Sequence, residues 1–166
     1  MDNAPIQVTV QVNGSPRSDW VWSNQTLMEV LRDDFGITDV KYGCGEGVCG
    51  TCTVLMNGEL VNSCLVFAVQ AEGAHVTTLS GLLSDNGELH PLQDSFLRNG
   101  ASQCGFCSPG MMLTALDYAE DGGSADRDEI RQALSGNLCR CTGYVKIVDA
   151  VEEYITTARE GGEESQ

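Results

Sequence analysis

The chain has 166 residues, sets 24 acidic against 9 basic side chains for a formal charge of −15, and is 42% apolar. That length allows one domain or two small ones, and the apolar share rules out wholesale disorder. The acidity excludes a nucleic-acid partner, which needs clustered Lys and Arg, and disfavours an anionic membrane surface; no apolar run approaches about 18 residues, so no membrane span is expected.

The start, Met1-Asp2-Asn3-Ala4-Pro5, has neither the positive n-region nor the apolar h-region of a secretory signal, so a cytoplasmic location is expected. Structural disulfides are rare there. The 8 cysteines therefore ask for another role, and metal is the first candidate.

Ile6 to Val12 puts Ile6, Val8, Val10 and Val12 on alternate positions, which predicts a strand. Asn13-Gly14 signals a turn, lengthened by Ser15, Pro16 and Arg17, and Asp19 to Trp22 returns as a second strand. Thr26 to Asp34 reads as a short helix capped by Asn24 or Thr26, with Leu27, Val30 and Leu31 on one face. Tyr42 to Cys52 is too Gly-rich for regular structure. Thr53 to Met56, Asn57-Gly58 and Glu59 to Asn62 form a hairpin, and His75 to Thr78 a last strand.

Ser80 to Gly87 is dense in turn formers and reads as a connection between two units. Beyond it the pattern is helical. Pro91 suits the first position of a helix ending before Asn99-Gly100, and Pro109 that of a helix to Glu120 with Met112, Ala115, Leu116 and Ala119 on one face. Ser108 stands as its cap. Asp126 with Glu129 forms a capping box for a helix that Gly136 closes. The last helix runs from Tyr144 to Ala158 with Val148, Val151 and Ile155 inward. The expected division is a unit over 1–80, a linker over 81–87, a unit over 88–160 and an acidic, frayed tail over 161–166.

The first four cysteines, Cys44-x4-Cys49-x2-Cys52 with Cys64 downstream, have plant-type ferredoxin spacing for a [2Fe–2S] cluster. Such a cluster is an anion partly withdrawn from water, and it needs a dense lining of backbone N–H groups. Gly43, Gly45, Gly47 and Gly50 permit the turns that build one. A zinc knot and two disulfides are the alternatives; the x4 gap and the compartment count against them.

The second set is Cys104-x2-Cys107 and Cys139-x-Cys141. Spacing alone leaves a redox dithiol, a zinc site and a second cluster open. Cys107 and Cys141 each precede an expected helix start, where free N–H groups favour an anionic centre.

Three segments, Gly43-Cys-Gly-Glu-Gly-Val-Cys-Gly-Thr-Cys-Thr53, Gln103-Cys-Gly-Phe-Cys-Ser-Pro-Gly-Met111 and Gly136-Asn-Leu-Cys-Arg-Cys-Thr-Gly-Tyr144, closely resemble the iron–sulfur subunit of the molybdenum hydroxylases, the family of xanthine dehydrogenases, aldehyde oxidoreductases and aerobic carbon monoxide dehydrogenase. The likeness runs from about Ile6 to Ala158. It implies an α+β fold, with an N-terminal plant-ferredoxin-like β-grasp domain followed by a C-terminal four-helix bundle, each holding one [2Fe–2S] cluster. It implies cluster ligation by Cys44, Cys49, Cys52 and Cys64, and by Cys104, Cys107, Cys139 and Cys141. It brings Gln103 to a molybdopterin cofactor and joins Cys141 to the pterin by a hydrogen bond. The implied partners are a large subunit with molybdopterin, in its cytosine dinucleotide form, and a medium subunit with FAD, in a heterotrimer or a dimer of heterotrimers. Val48, Thr51 and Ser108 depart from the family's usual residues without removing a ligand.

Other residues read more plainly. His75 and His90 have no triad-like partners and are structural or solvent-exposed. Gly43-x-Gly45-x-Gly47 does not open a helix, so it is no dinucleotide loop. Met111 and Met112 read as packing, as do Trp20, Trp22 and Phe106; Phe106 can also shield a cluster from water. Arg140 either offsets cluster charge or forms a surface ion pair. The excess negative charge predicts basic surfaces on partner subunits or a high-salt environment. The expected function is electron transfer within a molybdenum hydroxylase; a free-standing two-cluster ferredoxin and a zinc-stabilised interaction module are the alternatives.

Overall fold

The computed structural model describes residues 4–84 and 86–163. Strands β1 (Ile6–Val12) and β2 (Ser15–Val21) pair antiparallel, with Val12 opposite Ser15. Only Asn13 and Gly14 remain for the turn, at φ 50° and 77°. This double left-handed turn matches the twist of the strands, so the loop is tighter than expected and β2 begins at Ser15 rather than Asp19. Pro16 and Arg17, taken from sequence as loop, are paired residues. Pro16 is tolerated because β2 lies at the edge of the sheet, whose order is β2-β1-β5-β3-β4.

Thr26 takes the cap over Asn24: its hydroxyl accepts from the Glu29 N–H, and the Glu29 side chain returns to the Thr26 N–H at 2.7 Å. The helix α1 (Leu27–Glu29) widens into a π-helical turn, Val30–Asp34, closed by the Phe35 N–H on the Val30 carbonyl at 2.9 Å. It buries Leu27, Met28, Val30 and Leu31 against the valines of β1. Strands β3 (Thr53–Met56) and β4 (Glu59–Asn62) form the expected hairpin. β5 (His75–Thr77) lies between β1, to which it is parallel, and β3, to which it is antiparallel.

The second half contains α2 (Pro91–Arg98), α3 (Ser108–Glu120), α4 (Arg127–Ala133) and α5 (Val145–Glu163). Leu92, Phe96, Met111, Met112, Ile130, Ile147 and Val151 form a separate core. The fold is α+β, a mixed sheet followed by a helical part, and no described helix is long and apolar enough to cross a membrane.

Four helix ends differ from the sequence reading. Cys107, not Ser108, is the N-cap residue of α3; the Ser108 hydroxyl instead meets that of Ser102 at 2.9 Å. Asp126 caps α4 through the N–H groups of Asp128 and Glu129, but its own N–H is taken by the Ser124 hydroxyl at 3.2 Å. Glu129, freed from the box, accepts from the Ser124 hydroxyl at 2.6 Å. The helix α5 starts at Val145 and continues to Glu163, into the stretch expected to fray; the rest of the expected tail, 164–166, lies outside the described residues.

His90 caps α2 with its imidazole Nδ1, which accepts from the Leu92 N–H at 3.3 Å. Burial pushes its pKa below the ordinary 6.5, against an opposing pull from Glu120. The unfolded chain therefore takes up the proton first. The stabilisation is whole above the unfolded value and is lost as pH falls from there through the folded one. We expect the melting temperature of the wild type to fall further between pH 7.5 and 5.5 than that of His90→Asn, whose cap does not titrate; parallel curves would contradict this role.

Candidate metal centres

The first loop leaves α1, runs through Tyr42 to Cys52 and enters β3. The Thr51 hydroxyl, donating to the Lys41 carbonyl at 3.3 Å, ties its two ends together, and the Asn62 amide, donating to the Gly47 carbonyl at 3.1 Å, holds its middle. Gly43 lies in the cradle itself. A Cβ there would stand 2.5 Å from the Thr51 hydroxyl and 2.8 Å from the Cys49 sulfur.

The thiols in this loop are not equivalent. Cys44 Sγ accepts the Glu46 N–H at 3.3 Å. That N–H, the Cys49 thiol and the N–H groups of Val48 and Cys49 bring the Cys44 pKa down to about 6. Cys64, delivered by the turn after β4, is buried, and burial followed by contact with Cys52 pushes its thiol up to about 11.

The second centre is built from the loop before α3 and the loop before α5. Cys104 and Cys141 are exposed, with sulfurs 3.4 Å apart. The Phe106 N–H, foremost, lowers the Cys104 pKa, while contact with Cys104 raises that of Cys141. Cys107 is buried and pushed up to about 12, so at the start of α3 burial outweighs the favourable helix end. Burial also acts against the Cys139 thiolate, but the Thr142 hydroxyl, 3.1 Å from its sulfur, with N–H groups of Thr142 and Cys141, prevails and lowers its pKa. The second expected helix start stands back from its cysteine, because α5 opens four residues after Cys141.

All eight thiols are free, and they meet as four pairs: Cys44 with Cys49, Cys52 with Cys64, Cys104 with Cys141 and Cys107 with Cys139. Among the described residues no group of three or more His, Cys, Asp or Glu converges on one metal ion. Two thiol pairs per site suit a binuclear unit with two thiolates on each iron better than a single zinc ion with four. The all-sulfur donor set and the N–H lining of Cys44 fit the same group.

The two loops also touch each other, which spacing alone does not reveal. The Leu138 N–H donates to the Cys49 carbonyl at 2.9 Å, and the buried Asn137 amide donates to the Gly50 carbonyl at 3.1 Å. Gly50 is left-handed at φ +67°, and Gly110 of α3 lies so close that a Cβ on it would sit 2.0 Å from the Gly50 oxygen. Gln103 is exposed beside Cys104. Trp20, Trp22 and Phe106 are 62%, 48% and 45% exposed and belong to neither core; Met111 and Met112 are buried.

Two sets of paired thiols, one in the loop between α1 and β3 completed by Cys64 after β4 and one in the loops that precede α3 and α5, define an iron–sulfur protein with two centres. Family models agree: a 2Fe-2S iron-sulfur cluster binding domain matches residues 10–80 and a [2Fe-2S] binding domain matches residues 78–152. The nicotinate dehydrogenase small FeS subunit of Eubacterium barkeri is 47% identical over 146 residues, covering 88% of this chain and 92% of that one. The nicotine 6-hydroxylase small subunit of Paenarthrobacter nicotinovorans is 46% identical, covering 88% and 87%. Quinoline 2-oxidoreductase from Pseudomonas putida 86 contains a chain with a TM-score of 0.89 and 44% identity, over 95% of this chain and 98% of that one. The chain belongs to the family of small iron–sulfur subunits of molybdenum-containing hydroxylases and dehydrogenases.

The Gly110 contact sets a steric test. Gly110→Ala must push α3 away from the first loop, an overpacking cost of about 1–3 kcal/mol. Gly136→Ala, with nothing within 4 Å of its Cβ, should stay within about 0.5 kcal/mol of wild type. Denaturant midpoints of the two variants would check both values.

Proposed function

We propose that the chain is the electron-transfer subunit of a heterotrimeric molybdenum hydroxylase, or of a dimer of such trimers, in the cytoplasm. In this reading a large subunit holds molybdopterin cytosine dinucleotide, where substrate is oxidised with oxygen drawn from water, and a medium subunit holds FAD. The chain passes electrons singly from the first to the second. Residues 1–80 form the ferredoxin-type β-grasp domain and 88–160 a four-helix bundle, joined by the linker 81–87. Cys44, Cys49, Cys52 and Cys64 hold one cluster; Cys104, Cys107, Cys139 and Cys141 hold the other.

When bound, each [2Fe–2S] cluster takes up and returns one electron. The residues do the rest. Backbone N–H groups at Cys44 offset thiolate charge, and Thr142 does the same at Cys139. Buried Cys64 and Cys107 close each site on the protein side. Gln103 and Cys141, on the exposed rim, face outward toward a pterin held by the large subunit. The observation that carries the reading is the pairing of eight thiols into two sets whose loops contact each other through Cys49 and Leu138. Exposed Phe106 and Leu138, on the same loops as the exposed Cys104 and Cys141, with exposed Val145 at the start of α5, favour a docked subunit over a diffusing carrier.

Native material should elute with a large and a flavin-bearing chain and contain about four irons per copy of this chain. A lone 17.8 kDa species would indicate a free carrier, and zinc without iron a structural module. Cys64→Ser should abolish one of two paramagnetic resonance signals of the reduced protein and leave the other. In the assembled complex, Gln103→Ala should slow reduction of the clusters by substrate while leaving iron content unchanged.

A further inference from the structure

Asn137 is 4% exposed and carries no sulfur, yet it stands between the two centres. Its Nδ2 donates to the Gly50 carbonyl at 3.1 Å, and its Oδ1 accepts the Thr114 hydroxyl at 3.0 Å. The Gly50 carbonyl also receives the Thr53 N–H at 3.2 Å and the Thr53 hydroxyl at 2.8 Å. One residue on, the Leu138 N–H donates to the Cys49 carbonyl at 2.9 Å. Two successive residues of one loop are thus bonded to two successive residues of the other, and each pair adjoins or includes a cysteine of its own centre.

A second side chain works inside the second loop. Tyr144 is a non-glycine residue at φ +66°. That costly conformation brings its hydroxyl back over the loop. The hydroxyl donates to the Asn137 carbonyl at 3.1 Å and accepts the Cys139 N–H at 2.9 Å. The Cys139 N–H is therefore committed to a phenol oxygen and not to sulfur.

Burying an amide costs free energy unless its bonds are made, and an apolar side chain fills space more cheaply. What the amide adds is a fixed register between Gly50 and Asn137. We propose that Asn137 and Tyr144 are positioning residues for electron exchange between the two centres: Asn137 fixes the second loop against the first, and Tyr144 fixes Cys139 within its own loop. This rests on the electron-relay reading above. One electron leaves a reduced centre for an oxidised one, and its rate falls steeply with separation, so a rigid contact beside Cys49 and Cys139 sets that rate.

The test uses the full chain, iron-loaded and assembled with its partner subunits. In Asn137→Ala, iron content and the separate resonance signal of each reduced centre should persist. The magnetic interaction between the two reduced centres, which depends on their separation, should weaken, and exchange between them should slow by about tenfold or more. Thr114→Val, which removes only the group orienting the amide, should do the same to a smaller degree, and it decides the question if Asn137→Ala does not accumulate. Tyr144→Phe should shift the signal of the helical-domain centre alone. A lower melting temperature with unchanged magnetic interaction and unchanged exchange would overturn the positioning role and reduce Asn137 to a stabilising contact. A wild-type chain that binds no iron would instead overturn the relay reading itself, so the two failures are distinct.

Discussion

Charge crowding governs this molecule. Four thiolates brought together repel one another, and the repulsion is tolerable only where N–H groups or metal cations face the sulfurs. The first loop meets that demand with main chain: the N–H groups around Cys44 hold its thiol near a pKa of about 6. The opposite holds for Cys64 and Cys107, where burial holds the proton on. Each site therefore sets a thiol that gives up its proton readily, Cys44 in the first and Cys104 and Cys139 in the second, beside one whose proton burial retains, Cys64 in the first and Cys107 in the second. Metal binding and proton release are coupled in such a site. The loops can be irregular because the sheet on one side and α3 on the other fix their ends.

Local patterns were legible in the sequence wherever one element decides its own shape. Alternating valines define β1, Asn57-Gly58 defines the β3–β4 turn, and Pro91 marks the first residue of α2. Cysteine spacing separates the two sets because ligand geometry constrains it directly. Competition between near-equivalent local options was harder to read. Ser15, Pro16 and Arg17 look like loop residues, but an edge strand tolerates them once Asn13-Gly14 supplies a two-residue turn. Ser124 displaced Glu129 from the Asp126 N–H because it stands closer along the chain.

Contacts between distant segments left no such trace. Asn137 and Gly50 are 87 positions apart, and each is a residue type common in any loop. Both lie in the segments that resemble the family, yet nothing in their spacing predicts a mutual bond. The same holds for Tyr144, whose left-handed backbone would be assigned to Gly143 on composition; both residues adopt positive φ. Exposure is hard to read from sequence for a related reason. Trp20, Trp22 and Phe106 are aromatic and so suggest a core, but the core is already filled by valine, leucine and methionine from elsewhere in the fold.

Gly50 and Gly110 meet main chain to main chain, with no side-chain cushion between them. The ferredoxin-like half is consequently not an interchangeable module. A borrowed sheet domain whose loop carried any larger residue at the position of Gly50 would seat poorly on these helices. Cutting the chain between β5 and α2 would strip the flank of one iron–sulfur loop and open it to water. Drift at either glycine is constrained by the other, so the two halves are bound to evolve as a single piece.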